Sequence, residues 1–335
     1  MARRASTPSW ARSFERQWVS LARSSLQAGK RAAAKALRPA TGRRQTPPGD
    51  GDWIAGIAIG AIGARRYRLY RPPDVNFDER LPLLVMMHGC GQDALDFAVS
   101  TRMNRIAARE RFLVLYPEQE RAANSQGCWR WFDTASGRAY GEVALIMKAI
   151  DQVCALYPVD RGRIAIAGLS AGASMAALVG SRHPERFKAI AMHSGVPPGT
   201  ANSTLSALSA MHGHGATQAL PASAATMALE WPPLLVIHGS RDTVVSLDNG
   251  QAAARVWADA AGATACDPRA VRRGNRYATT VTDFKRQGKP VATLIQVEGL
   301  GHAWSGGSPK QPYSDALGPD ASRLVWAFAA RQFRT

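Results

Sequence analysis

One stretch of this sequence constrains the fold more than any other. An apolar run over residues 163–167 ends in Gly168-Leu169-Ser170-Ala171-Gly172, and an alanine-rich segment follows through Val179. The first run has the composition of a buried strand and the second that of a helix. A serine held between two glycines at such a turn stands exposed, and the glycines leave room for the backbone to turn sharply. Because a serine hydroxyl needs this exposure to meet a base, the spacing predicts Ser170 as a catalytic nucleophile.

Strands and helices alternate along the rest of the chain. The pattern predicts strands at 64–70, 81–87, 112–117, 163–167, 188–193, 234–239, 276–282 and 291–297, and helices at 94–109, 141–156, 171–182, 246–261 and 319–331. Such alternation is typical of a mostly parallel sheet with helices on both faces. Together with the strand, turn and helix around Ser170, it predicts an α/β class protein with the α/β-hydrolase fold.

The acid and the base of such a site are expected in loops after later strands, because parallel sheets carry their sites at the carboxyl ends of strands. Asp242 follows the strand at 234–239, and His302 follows the strand at 291–297. The order serine, acid, histidine is the one that α/β-hydrolases use. We predict that His302 takes the proton of Ser170 and that Asp242 orients its imidazole.

Two other carboxylates are rivals for the role of the acid. Asp248 lies at the predicted start of a helix, where an N-cap role is favoured, and Glu298 directly follows the strand before the histidine. Asp242 is preferred because it ends the strand that precedes the histidine strand. The other histidines are interpreted as core or surface residues; they are His88, His183, His193, His212, His214 and His238.

Acyl transfer places negative charge on a substrate oxygen, so two backbone N–H groups must face that oxygen. One is expected from Ala171, the residue after the nucleophile. The other is expected from Cys90, in the loop after the strand at 81–87. His88-Gly89 in that loop is similar to the His-Gly motif of oxyanion loops.

Several separate blocks in the same order resemble the polyhydroxybutyrate depolymerase-type esterases, a branch of the α/β-hydrolases close to feruloyl and acetyl-xylan esterases. The blocks are His88-Gly89-Cys90-x-Gln92, Tyr116-Pro117-Glu118-Gln119, Cys128-Trp129-x-Trp131-Phe132, Gly168 to Gly172, His193-Ser194-Gly195, His238-Gly239-x-x-Asp242, Gly301 to Gly307 and 315–322. The resemblance runs from residue 53 to the C-terminus. It implies a serine esterase without a cofactor or metal, which forms an acyl-enzyme on 3-hydroxyalkanoate esters, as oligomer or polymer.

The resemblance also implies a disulfide bond between Cys90 and Cys128, because the family carries cysteines at these two motif positions. Such a bond would hold the N–H of residue 90 in place for the oxyanion. Two free thiols are the alternative in a reducing compartment. Cys154 and Cys266 are expected to be unpaired, and no C-x-x-C spacing predicts a metal site.

Large side chains near the motifs are candidate walls of the acyl pocket, namely His88, Trp129, Trp131 and Trp304. The tryptophans are equally well explained as core residues. Two enzyme functions stay open at this point, since a fold does not choose an acyl group. One is hydrolysis of hydroxyalkanoate esters, and the other is a carbohydrate-linked esterase of the feruloyl or acetyl type.

The first 50 residues differ from the rest in charge. The whole chain has a net charge of +17, of which the extension contributes +9. Trp10, Phe14, Trp18 and Leu21 recur at helical spacing, which favours a basic amphipathic helix on a granule or anionic surface. A packed helix or a disordered tail is the alternative. A proline-rich linker at 46–51 predicts a division into an extension, 1–50, and an esterase domain, 51–335.

The charge does not by itself predict specific nucleic-acid binding, because no zinc-finger, RNP or helix-turn-helix pattern accompanies it. Arg3-Arg4 near the start is typical of a signal peptide, but charged residues interrupt the stretch that should be apolar. No apolar run approaches the ~18 residues of a membrane span. The expected location is therefore the cytoplasm or a granule surface, with the extracellular region, common in the family, as the alternative.

Overall fold

The computed structural model describes residues 47, 49–76, 78–121, 124–214 and 231–334, so nearly all of the predicted extension lies outside the described residues. Within them, the strands are β1 Asp52–Gly60, β2 Gly63–Arg71, β3 Leu81–Met87, β4 Leu113–Pro117, β5 Val159–Leu169, β6 Ala189–His193, β7 Leu234–Gly239, β8 Thr264–Ala265, β9 Arg269–Val271, β10 Thr279–Arg286, β11 Lys289–Val297, β12 Trp304–Ser305 and β13 Ser314–Asp315. The first eleven form one sheet, and β12 pairs with β13.

The main sheet has the order β1-β2-β4-β3-β5-β6-β7-β11-β10-β8, with β9 on β10. The six central strands, from β4 through β11, pair in parallel, whereas β1, β2 and β10 pair antiparallel at the two sides. The predicted mostly parallel sheet is thus confirmed. Since β5, β7 and β11 run the same way, the loops after them lie at one edge.

Helices cover both faces of this sheet, as predicted. They are α1 Ala94–Thr101, α2 Met103–Glu110, α3 Arg138–Leu156, α4 Ala171–Arg182, α5 Thr204–Met211, α6 Leu247–Ala261 and α7 Ala321–Gln332. Buried residues of α3, α4 and α6 belong to one apolar cluster, and those of α1, α2 and α7 to another. The central strands supply side chains to both clusters, which explains why β3 is buried at every position.

The structure differs from the sequence prediction in several elements, among them the short strands β8, β9, β12 and β13, which the sequence pattern does not predict. The helix expected at 94–109 is two helices, because Arg102 adopts a left-handed conformation with φ of 54°. The antiparallel side strand β1 was not predicted, since its exposed face carries isoleucines instead of polar residues. The segment 199–231, for which the sequence pattern predicts neither strand nor helix, includes the short helix α5, and its residues 215–230 lie outside the described residues.

Candidate active site

Ser170 lies between β5 and α4 with φ of 56° and ψ of −124°, a conformation that costs a non-glycine residue on the order of 1–3 kcal/mol. The surrounding packing explains the two glycines. A Cβ on Gly168 would lie 2.4 Å from the backbone of Gly172, and a Cβ on Gly172 would lie 2.3 Å from the carbonyl oxygen of Met87. No side chain fits at either position, so α4 starts directly against the end of β3.

Asp242 and His302 meet at the same edge of the sheet. The carboxylate Oδ2 of Asp242 lies 2.8 Å from Nδ1 of His302, and its Oδ1 accepts the N–H groups of Val244 and Val245 at 3.0 and 2.9 Å. Burial acts to raise the pKa of Asp242, but the hydrogen bond and charge of His302, the hydrogen bond from Val245 and the charge of His238 outweigh it and hold the pKa below its ordinary value. The carboxylate is therefore ionised, and it can fix the imidazole with a proton on Nδ1.

The rival carboxylates lie elsewhere. The carboxylate of Asp248 accepts the hydroxyl of Ser246 at 3.0 Å, in the first turn of α6. Glu298 is exposed on the loop after β11. Among the described residues, the hydrogen bond from His302 goes to Asp242 and not to either of them.

The two N–H groups expected to face the oxyanion are available for a ligand. Ala171 is the first residue of α4, where N–H groups have no partner within the helix. Neither its N–H nor that of Cys90 has a hydrogen-bond acceptor in the described part of the chain. The loop of Cys90 is held on both sides, since the N–H of Gly91 donates to Gln126 and that of Gly89 to the side chain of Gln92.

The disulfide bond between Cys90 and Cys128 is confirmed, with Cα atoms 4.4 Å apart. It links the loop after β3 to the loop that carries the tryptophans. Cys154, which is buried, and Cys266 are free thiols, as expected.

The assignment of four large side chains to the pocket wall requires correction. His88, Trp129 and Trp304 are at most 1% exposed and Trp131 is 7% exposed, so they present little or no surface to a ligand. Trp129 instead donates its Nε1–H to the carbonyl oxygen of His88 at 2.9 Å. The three tryptophans belong to the apolar clusters of the core, and His88 is buried beside Trp129.

Sequence reasoning missed a buried polar network behind the oxyanion loop. The guanidinium of Arg65 donates to the side chain of Gln119 and lies 5.1 Å from the ring centre of Trp129. Gln119 donates to the carboxylate of Glu142 and, at 3.2 Å, to the carbonyl oxygen of Cys128. Burial raises the pKa of Glu142, although the bond from Gln119 and the charge of Arg65 oppose it. Glu142, a charged residue on the otherwise apolar buried face of α3, is a sequence signal for this network.

The described residues contain no helix long and apolar enough to cross a membrane. Within the same ranges, no group of three or more His, Cys, Asp or Glu side chains is arranged to hold a metal ion.

Comparison with known proteins yields several relatives by sequence. Poly(3-hydroxyalkanoate) depolymerase C of Paucimonas lemoignei is 27% identical over 250 residues, which cover 70% of this chain and 57% of the relative. Feruloyl esterase B of Neurospora crassa is 32% identical over 116 residues, 34% of this chain and 39% of the relative. Acetylxylan esterase A of Talaromyces purpureogenus is 24% identical over 268 residues, 74% of this chain and 66% of the relative.

The chain thus spans little more than half of the length of the depolymerase. Among solved structures, an acetyl xylan esterase from Aspergillus awamori matches with a TM-score of 0.61 at 19% identity. That match covers 83% of this chain and all of the other, and it supports the α/β-hydrolase fold. The model of the family described as Esterase PHB depolymerase matches residues 65–275. Because this match covers more than half of the chain, the protein belongs to the PHB depolymerase family of esterases.

Proposed function

We propose that the protein is a carboxylic ester hydrolase that uses Ser170, His302 and Asp242 as a catalytic triad. The observation that carries the proposal is the 2.8 Å hydrogen bond between His302 Nδ1 and Asp242 Oδ2 at the edge where β5 delivers Ser170. The strained backbone of Ser170 is a second support, because strain of this kind concentrates at functional sites.

In the first half of the proposed reaction, Ser170 Oγ attacks the ester carbonyl carbon while Nε2 of His302 takes the hydroxyl proton. The negative charge that develops on the carbonyl oxygen accepts hydrogen bonds from the N–H groups of Cys90 and Ala171. Asp242 stabilises the imidazolium and remains ionised itself. Collapse of the intermediate breaks the ester bond, and the leaving alcohol takes the proton from Nε2.

In the second half, the acyl group is an ester of Ser170. A water molecule gives a proton to Nε2 of His302 as its oxygen attacks the acyl carbon. The same two N–H groups stabilise the second tetrahedral intermediate. Ser170 then leaves with the proton from His302, which restores the free enzyme and releases the carboxylic acid.

For the substrate, we propose 3-hydroxyalkanoate esters, in oligomers or at a polymer surface. The family match and the depolymerase relative support this assignment. A carbohydrate-linked ester, acetyl or feruloyl, is the second candidate, since relatives with those names align over large parts of this chain or at higher identity. Trp129, Trp131 and Trp304 do not decide between them because all three are buried.

A panel of esters tests the proposal: p-nitrophenyl acetate and butyrate, 3-hydroxybutyrate oligomers, acetylated xylan and methyl ferulate. We expect hydrolysis of p-nitrophenyl esters and the highest kcat/KM among natural substrates on hydroxybutyrate oligomers. Preference for xylan or ferulate would assign the second candidate. A protein that hydrolyses none of these esters would disprove the proposed function.

The basic extension supports a further part of the proposal. Its excess of basic residues favours attachment of the enzyme to a granule or another anionic surface. A function in binding alone is the alternative, and it predicts no ester hydrolysis. The attachment would be supported if the protein binds anionic vesicles at low salt and detaches at higher salt. A protein without residues 1–46 should not bind them.

A further inference from the structure

His193 is not part of the proposed triad, yet it contacts the backbone of the nucleophile. It is the last residue of β6, and its carbonyl oxygen accepts the N–H of Ser170 at 2.9 Å. The ladder between β5 and β6 pairs Leu169 with His193, so this bond extends the ladder by one residue. The main chain of His193 therefore holds the main chain of Ser170.

The side chain of His193 binds the loop that carries the base. Its Nε2 lies 3.1 Å from the main-chain nitrogen of Ser305, three residues after His302. A main-chain N–H only donates, so Nε2 is the acceptor and the ring proton is on Nδ1, which lies 3.2 Å from Oγ of Ser194. The ring also stacks on Trp304, with centroids 5.1 Å apart and planes inclined by 28°.

This arrangement requires a neutral imidazole, because a proton on Nε2 would point at the N–H of Ser305. The ring is 1% exposed, and burial lowers its pKa to about 3. The neighbouring His238 lowers the pKa as well, Asp242 raises it, and His302 lowers it. His193 is thus a hydrogen-bond acceptor at pH values above about 3.

Other bonds of the same loop lead away from the nucleophile. The Nε1–H of Trp304 donates to Ser322 at 3.0 Å, and the hydroxyl of Ser305 donates to the carbonyl oxygen of Pro319 at 2.6 Å. They tie the loop to the start of α7. The bond to His193 ties it to the strand end that holds Ser170.

We propose that His193 is a positioning residue for ester hydrolysis, which fixes the loop of His302 relative to Ser170 through the N–H of Ser305. It touches neither the substrate nor the reacting atoms. The inference rests on the proposed function and deepens it, since it names a residue through which the two halves of the triad are aligned.

Two variants separate the hydrogen bond from the packing. His193→Phe keeps a ring that can stack on Trp304 and removes the acceptor, whereas His193→Gln places an amide oxygen close to the position of Nε2. With p-nitrophenyl butyrate, we expect the Phe variant to lose about 30-fold in kcat with KM within about twofold of wild type, because small misplacements of catalytic groups are costly. The Gln variant should recover to within about fivefold of wild type.

Equal losses in both variants, or an unchanged kcat in the Phe variant, would overturn the inference. If the variants do not fold, histidine ¹H–¹⁵N spectra of the wild type decide, with His193 assigned through contacts to Trp304. A proton on Nδ1 and an unprotonated Nε2 at pH 7 support it, and a proton on Nε2 overturns it. These outcomes are distinct from failure of the proposed function, which would show as an inactive wild type.

Discussion

Two serines with positive φ end neighbouring strands of the sheet. Ser170 follows β5 with φ of 56°, and Ser194 follows β6 with φ of 53°. Both are held by backbone bonds to the next strand, since the N–H of Ser170 donates to His193 and that of Ser194 donates to Ile237 at 2.9 Å. These backbone bonds continue the parallel pairing one residue beyond each strand and hold the strained conformation in place.

At the scale of single residues, we expect Ser170→Ala to lower kcat by roughly 10⁴–10⁶, because this change removes the proposed nucleophile of the triad. The measurement is the initial rate on p-nitrophenyl butyrate, with circular dichroism as a check of folding. Ser181→Ala on the same helix α4 is the control, since its hydroxyl bonds within the helix to Leu178 at 3.1 Å. Turnover close to wild type in the Ser170 variant would contradict the proposed mechanism.

The buried histidine predicts a specific dependence of stability on pH. In the unfolded chain His193 has a pKa of about 6.5, whereas burial lowers it to about 3 in the folded protein. Between these values the unfolded chain binds one more proton, so the free energy of unfolding falls as the pH falls. The loss begins near pH 6.5 and ends near pH 3.

The variant His193→Gln removes this contribution. From pH 6 to pH 5 we expect the unfolding free energy of the wild type to fall by about 1 kcal/mol more than that of the variant. Urea unfolding at both pH values measures the difference, and the charges of His238, Asp242 and His302 are common to both proteins. An equal change of the unfolding free energy in both proteins would show that His193 is already protonated, or exposed, in the folded protein.

The sequence predicts the candidate residues of the site better than it predicts the hydrogen bonds that hold them. Ser170, Asp242 and His302 follow from strand ends and chain order, which local patterns reveal. The partner of His193 lies 112 residues away along the chain, and Gln119 reaches Glu142 from another element. Such bonds depend on how the elements pack, so composition and spacing do not predict them. The same reason explains why the sequence leaves the tryptophans open between the pocket and the core.

At the scale of elements, β5 offers a matched pair of glycines. A Cβ on Gly168 would lie 2.4 Å from the backbone of Gly172, whereas a Cβ on Gly162 would meet a flexible oxygen of Asp160 at 3.2 Å. We expect Gly168→Ala to lower the free energy of unfolding by about 3 kcal/mol, because backbone must move. Gly162→Ala should change it by less than about 1 kcal/mol. Equal effects in urea unfolding would show that the turn tolerates a side chain.

The disulfide joins two loops of the site, and its removal tests both stability and activity. The bond closes a loop with a sequence separation of 38 residues, for which chain entropy predicts about 4 kcal/mol of stabilisation. In urea unfolding, the double variant Cys90→Ser, Cys128→Ser should lose a large part of this stabilisation. Its kcat should also be lower than that of the wild type, because the N–H of residue 90 is less well held. Cys266→Ser is the control with a free thiol. An unchanged kcat in the double variant would show that the disulfide bond does not position the N–H of residue 90.

Element boundaries were predictable where a strand or helix has one clear period. The helix after Ser170 and the strands β3 and β7 agree with their expected bounds. The break between α1 and α2 was not predictable, since Arg102 is neither glycine nor asparagine and an arginine rarely adopts positive φ. Strand β1 was missed because Ile57 and Ile59 on its exposed face obscure the alternation.

At the scale of the whole molecule, the net charge is unevenly distributed along the chain. The first 50 residues carry +9 of the +17 total, which leaves the remaining 285 residues mildly basic. The structure also indicates where a truncation should begin. The hydroxyl of Tyr70 donates to the carbonyl oxygen of Asp50, and a Cβ on Gly49 would meet Asn104, so residues 49–51 pack on β2 and α2. A cut after residue 46 preserves these contacts, whereas a cut after residue 50 removes them.

We therefore expect a protein without residues 1–46 to keep kcat/KM on p-nitrophenyl butyrate within about twofold, because each proposed catalytic group lies in the later part of the chain. On an anionic surface the two proteins should differ. Salt screens the attraction between basic side chains and an anionic surface, so the full chain should bind anionic vesicles at low salt and detach as the salt concentration rises. The truncated protein should bind weakly at every salt concentration. Cosedimentation with vesicles at increasing salt measures this difference. A large loss of kcat/KM in the truncated protein would place the extension in the architecture of the active site instead.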